Sequence, residues 1–200
     1  MKLSTLAAVM MSLLSAAPAY AAGDAKSTIQ TFDNALTDVM KNAEKLGYKG
    51  RYAKLEPVVE QSYDLPLMAR ISVGPQWASL SPEDQAKIIE AFKKLSVGTY
   101  ASRFDGYDGE EFQIAGDQPI AGGDEKVDTK LVRPHDDPVE LDYRLRKNGD
   151  DWKIIDVFLS GTISQLANYR SEFSSTLRDK GADGLVQLIN DKVAALAPKG

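Results

Sequence analysis

At 200 residues and a formal net charge of -5, the chain offers nucleic-acid phosphates and anionic membrane surfaces no general electrostatic attraction. It contains no cysteine, which excludes a disulfide framework, thiolate chemistry and acylation of an N-terminal cysteine. With 43% hydrophobic and 26% charged residues it has the balance of an ordinary globular protein, long enough to bury a core without cross-links.

The chain opens with the pattern of a signal peptide over residues 1–21. Lys2 precedes a mostly apolar run from Leu3 to Leu14, and Ala19-Tyr20-Ala21 is a small-x-small cleavage site. The run falls short of the about 20 residues a spanning helix needs. The expectation is cleavage after Ala21, export to the periplasm of a double-membraned cell, and one domain over residues 22–200.

Ser27-Thr-Ile-Gln30 has the form of a capping box. Ile29, Phe32, Leu36, Val39, Met40, Ala43 and Leu46 then recur at helical spacing, with Gly47 as the expected stop. Residues 51–72 read as shorter helices interrupted at Pro57 and Pro66, unusually rich in apolar positions for their length. Gly74-Pro75 marks a turn. Ser81-Pro-Glu-Asp84 is a strong helix start, with the hydroxyl as cap, Pro at the first turn and carboxylates at the positive end of the dipole. Ile88, Ile89, Phe92, Leu95, Thr99, Tyr100 and Phe104 carry that helix to Asp105-Gly-Tyr-Asp-Gly109.

From Glu110 the period changes to two. Phe112 and Ile114, then Val127, Thr129 and Leu131, then Val139, Leu141, Tyr143 and Leu145 alternate with polar residues between Gly- and Pro-rich turns. Asn148-Gly149 supplies the expected hairpin turn, and Trp152 to Leu159 is a strand apolar on both faces. Helical spacing then returns through Ile163, Leu166, Tyr169, Phe173 and Leu177, breaks at Gly181, and resumes from Asp183 to Leu196. Helices, sheet and helices without βαβ alternation make an α+β fold. About four antiparallel strands would be covered by helices from both ends of the chain, a topology able to enclose an apolar pocket.

Signals for chemistry are sparse. The single histidine, His135, lies between Pro134 and Pro138 in a turn, without further nitrogen or sulfur ligands for a metal. The sequence has no nucleophile elbow and no phosphate-cradling glycine loop, so neither a metal nor a cofactor is expected. Asp105-Gly-Tyr-Asp-Gly109 lacks the downstream glutamate of a calcium loop. Asp156, a carboxylate within an apolar strand, admits two readings. As a base with Tyr143 as oxyanion donor it would belong to an isomerase or dehydratase of apolar substrates. As a structural group it would accept backbone hydrogen bonds at the strand end, or pair with Arg144 or Arg170.

Several segments, in order, carry a resemblance: Asp142-Tyr-Arg-Leu145, Trp152-Lys-Ile-Ile-Asp-Val157, Gly161-Thr-Ile-Ser164, Asn168-Tyr-Arg-Ser-Glu-Phe173, and upstream Ser81-Pro-Glu-Asp-Gln85. Together they resemble the MlaC-type periplasmic lipid carriers, the toluene-tolerance auxiliary family. Arg51-Tyr-Ala-Lys-Leu55 and Arg103-Phe-Asp-Gly-Tyr-Asp-Gly-Glu110 are most similar to its hopanoid-associated HpnM branch. The resemblance implies a non-enzymatic carrier that holds phospholipid acyl chains, or a hopanoid, in an apolar pocket. It also implies exchange with an inner-membrane ABC transporter carrying a substrate-binding ring, and with an outer-membrane lipoprotein complex. The expected wall of the pocket is Met68, Ile71, Phe92, Leu95, Tyr100, Phe104, Leu131, Leu141, Tyr143, Trp152, Ile154 and Val157. A one-residue slip in the strands would exchange the faces. The segment between Pro57 and Pro75 is the expected moving part.

Overall fold

The computed structural model describes residues 24–197, so the expected signal peptide lies outside the described residues. Helix α1 spans Ala25–Lys41 and α2 Ala43–Ser62, followed by α3 over Leu65–Val73, a 3-10 turn over Gly74–Ser79 and α4 over Pro82–Arg103. Strands β1 (Glu111–Ile120), β2 (Asp124–Val132), β3 (Val139–Asn148), β4 (Asp151–Leu159) and β5 (Ile163–Ser164) form one antiparallel sheet in sequence order. Helix α5, Gln165–Leu196, closes the chain. The fold is α+β, with helices from both ends of the chain packed on the sheet.

Local details depart from the expected ones. The cap of α1 is Asp24, whose carboxylate accepts the Ser27 N–H at 2.7 Å, so Ser27 is the donor and not the cap. Gln30 reaches Asn34 at 3.2 Å instead of closing a capping box. A charged acceptor one turn earlier satisfies the helix start before the Ser can. The helix ends at Asn42, five residues before the expected stop, and Gly47 (φ 58°) is a kink inside α2. Pro57 does not interrupt α2; it lies on the exposed side, where water can serve the carbonyl it leaves unbonded. Pro66 falls in the first turn of α3, capped by Asp64, and Ser81 caps α4 as expected.

Between β3 and β4 the register pairs Asn148 with Asp151. The turn is therefore Gly149-Asp150, one residue later than expected, with Gly149 at φ 66°. The fifth strand follows from the corner after β4. Ser160 and Gly161 both take positive φ (50° and 70°), and the Thr162 N–H closes the turn on the Leu159 carbonyl at 3.3 Å. Ile163 and Ser164 then pair back on β4 before α5 begins.

One face of the sheet meets the helices. Leu141 faces Leu159, Tyr143 faces Val157, and after a bulge Leu145 faces Ile154. Val127, Thr129 and Leu131 of β2 are buried too, with α1 and its Phe32 and Leu36 packed on the sheet. The opposite face carries ion pairs. The buried carboxylate of Asp124 holds the guanidinium groups of Arg144 and Arg146, and Lys126 bridges Asp128 and Asp142. These guanidinium groups pull the Asp124 carboxyl below its ordinary value against the opposing effect of burial.

Candidate functional site

A cavity of about 670 Å³ opens between the helices and the sheet, within the size range of small-molecule clefts, roughly 300–1,000 Å³. Its inner walls are apolar: Met40 of α1, Tyr63 at the end of α2, Met68 of α3, Phe92 and Tyr100 of α4, and Leu131, Leu141 and Val157 of the sheet. Leu166 and Tyr169 of α5 close one side. Toward solvent the lining becomes polar, with Arg103, Asp105, Gly106, Asp108, Glu110, Arg133 and Ser160 around the mouth. The arrangement shields a hydrocarbon body while leaving a polar end in water.

Each wall is placed by a local feature. The Ser81 cap starts α4 so that Phe92, Ser96, Thr99, Tyr100 and Arg103 fall on one side at helical spacing. The Tyr63 backbone bridges Ile154 of β4, and the Asp64 N–H donates to the Ile154 carbonyl at 3.0 Å. At the other end of α3, the Ser174 hydroxyl donates to the Val73 carbonyl at 2.8 Å and Gln76 to Ser174 at 3.0 Å. The segment expected to move is thus hydrogen-bonded to the sheet before α3 and to α5 after it. The mouth is built from the turn after α4, the turn between β2 and β3, and the Ser160-Gly161 corner. At the rim Arg133 donates to the Asp137 carbonyl at 2.9 Å, and His135 stands 3.5 Å from Asp108, both exposed.

Of the residues expected to line a pocket, Met68, Phe92, Tyr100, Phe104, Leu131, Leu141 and Val157 meet in this cavity. Tyr143, Ile154 and Leu95 are buried in the packed core outside its wall. Ile71 is half-buried on α3, also off the wall. Trp152 lies at the far end of the sheet beside a smaller polar pocket of about 150 Å³ with Ser27, Thr28 and Gln61. Sequence reasoning missed Met40, Tyr63, Val139, Leu159, Leu166, Tyr169 and the polar mouth. Met40, Leu166 and Tyr169 did stand on apolar helix faces, but nothing in a helical period separates a cavity wall from a packed core.

The interior holds a polar cluster. Asp33 of α1 is 1% exposed and neither carboxyl oxygen has a hydrogen-bond partner. Burial pushes its pKa up to about 8, so at neutral pH the group is largely protonated. The Tyr63 and Tyr100 hydroxyls bond each other, and the Tyr143 hydroxyl beside them has no partner. All three tyrosines are raised above their ordinary range, first by burial and further by the nearby Asp33.

The structure divides the alternative dyad. Asp156 pairs in register with Arg144 on the face opposite Tyr143. Its carboxylate accepts the Ser164 hydroxyl at 2.6 Å and the N–H groups of Val157 at 2.8 Å and Leu166 at 3.3 Å. Neither Arg144 nor Arg170 is its partner, because Arg144 is held by Asp124. Asp156 fastens β4 to the start of α5 and does not line the cavity. Among the described residues, no group of three or more acidic, His or Cys side chains could hold a metal, and no helix is long and apolar enough to cross a membrane.

Two comparisons bear on this site. A phospholipid-binding protein from Ralstonia solanacearum, solved in complex with a phospholipid, superposes with a TM-score of 0.77 at 25% identity, covering 88% of this chain and 100% of that one. The family model described as MlaC protein matches residues 30–191, which include every residue lining the cavity. The chain belongs to the MlaC family, whose members are non-enzymatic lipid-binding carriers.

Proposed function

We propose that the protein is a periplasmic carrier of phospholipid, holding acyl chain in the cavity with the headgroup at the mouth. The observation that carries this reading is the apolar cavity of about 670 Å³ with a polar rim. The phospholipid complex of the related Ralstonia protein supports it. Arg103 at the mouth is suited to a phosphate, since a guanidinium group binds its oxygens in a fork. The physical need is large: at about 0.8 kcal/mol per methylene, exposing two long chains to water costs on the order of 20 kcal/mol. A shielding cavity removes that barrier without chemistry.

The N-terminal pattern of Lys2 and the run Leu3 to Leu14 supports export. In that compartment the carrier would exchange lipid with an inner-membrane ABC transporter with its substrate-binding ring and with an outer-membrane lipoprotein complex. A hopanoid in place of a phospholipid is the alternative cargo that the segments 51–55 and 103–110 favour.

Solvent extraction of the purified protein followed by mass spectrometry tests the reading. Wild-type protein should release phospholipid in near-stoichiometric amount, whereas Leu141→Glu and Val157→Trp should lose it while retaining native circular dichroism. Recovery of no lipid, or the same amount from all three proteins, would overturn the carrier. Recovery of a polycyclic lipid instead would assign the cargo to the hopanoid class.

A further inference from the structure

The inner end of the cavity is not purely hydrocarbon. Asp33 and Tyr143, 1% and 0% exposed, have polar atoms without partners, and buried groups in that state are destabilising unless something serves them. Tyr143 gathers with Tyr63 and Tyr100 around the Phe32 ring, whose centroid lies 5.4 Å from that of Tyr63, 5.0 Å from Tyr100 and 6.2 Å from Tyr143, and Asp33 is near enough to act on all three hydroxyls. Of these, Tyr63 and Tyr100 reach the cavity wall. Their hydroxyls bond each other, but two phenols carry two O–H donors and that bond uses one. Burial keeps Asp33 protonated to about pH 8, so the cluster behind them is a set of hydroxyl groups and not a charge. Such a set can donate to or accept from a neutral oxygen, and gives no reason for an ion to enter.

We propose that Tyr63 and Tyr100, backed by Tyr143 and Asp33, form a hydrogen-bonding subsite for an oxygen at the buried end of the ligand. The ligand class is an apolar chain or body carrying a hydroxyl or carbonyl at the end remote from its headgroup. This rests on the lipid-carrier reading and specifies its cargo. A plain hydrocarbon end also fits the space, but leaves the spare phenol proton unused.

The test uses delipidated full-length mature protein and two probes of equal length, palmitate and its ω-hydroxy derivative, each displacing a fluorescent fatty acid. In wild-type protein the two should bind within about threefold of each other. In Tyr63→Phe/Tyr100→Phe, which keeps both rings, the hydroxylated probe should bind about tenfold more weakly than palmitate, the cost of burying its hydroxyl unpaired. Tyr143→Phe, scored independently in case the double variant does not fold, should shift the ratio in the same direction. A hydroxylated probe already tenfold weaker in wild type, or a ratio unchanged in the variants, overturns the subsite. Failure of palmitate to bind wild-type protein overturns the carrier reading, and the subsite with it.

Discussion

Asp33 is the residue whose environment departs furthest from its chemistry. It stands on α1 next to Phe32, its carboxyl has no hydrogen-bond partner, and the groups it acts on are Tyr63, Tyr100 and Tyr143 instead of a cation. Burial raises its pKa from 3.8 to about 8. The folded state therefore holds a proton that the unfolded chain releases near pH 4. Its contribution to stability is full below that pH, falls as the pH rises, and is gone above about 8. Between pH 5 and pH 8 this amounts to about 4 kcal/mol. Asp33→Asn should flatten the dependence over that window by a comparable amount, measured as urea unfolding free energy at the two pH values. An unchanged slope would mean that Asp33 is ionised in the folded protein.

At the scale of elements, the molecule depends on how β4 hands over to α5. Ser160 and Gly161 turn the chain, two residues of β5 pair back, and the Ser164 hydroxyl accepts the Ala167 N–H at 3.0 Å as the helix cap. That same hydroxyl donates to Asp156, which also accepts the Leu166 N–H. One carboxylate thus sets the direction in which α5 leaves the sheet, and with it the positions of Leu166 and Tyr169 on the cavity wall. Asp156→Ala leaves buried donors unserved and should cost about 2–4 kcal/mol, read from the denaturant midpoint. Asp156→Asn, which keeps an acceptor oxygen, should recover part of the loss and retain bound lipid. Loss of lipid from a fully stable Asp156→Asn variant would place this residue in binding after all. The helical half is tied in the same manner: the Asp64 N–H and Ser174 hydroxyl hold α3 at both ends, so opening is expected at the mouth turns and not by swinging α3 away.

For the whole molecule, a cavity in place of a packed centre makes stability depend on its contents. A ligand at a hundred times its dissociation constant adds about 2.7 kcal/mol to the folded state. For a chain of this size that corresponds to roughly 5–10 °C in melting temperature. Delipidated protein should melt lower by that margin and recover on adding phospholipid. Val157→Trp, which fills the space, should show little of the difference; a full response in that variant would mean the stabilising lipid binds elsewhere.

The sequence by itself determined the order of helices, sheet and helices, the cap of α4, the buried face of β3 and the family. These are local properties: a hydrophobic period, a capping hydroxyl or a glycine at positive φ acts over one or two turns. The bulge opposite Arg144 and Leu145 was not legible, yet it brings Ile154 and Val157, three positions apart, to one face where strict alternation would separate them. Only the tertiary structure decided which apolar residues stop short of one another and so become walls. Met68 and Phe92 carry the same kind of signal as Leu95 and Ile71, and the distinction lies in whether a partner from another element fills the facing space. The cluster of Asp33, Tyr63, Tyr100 and Tyr143 is likewise assembled from α1, the end of α2, α4 and β3, so each member looked ordinary until the fold brought the four together.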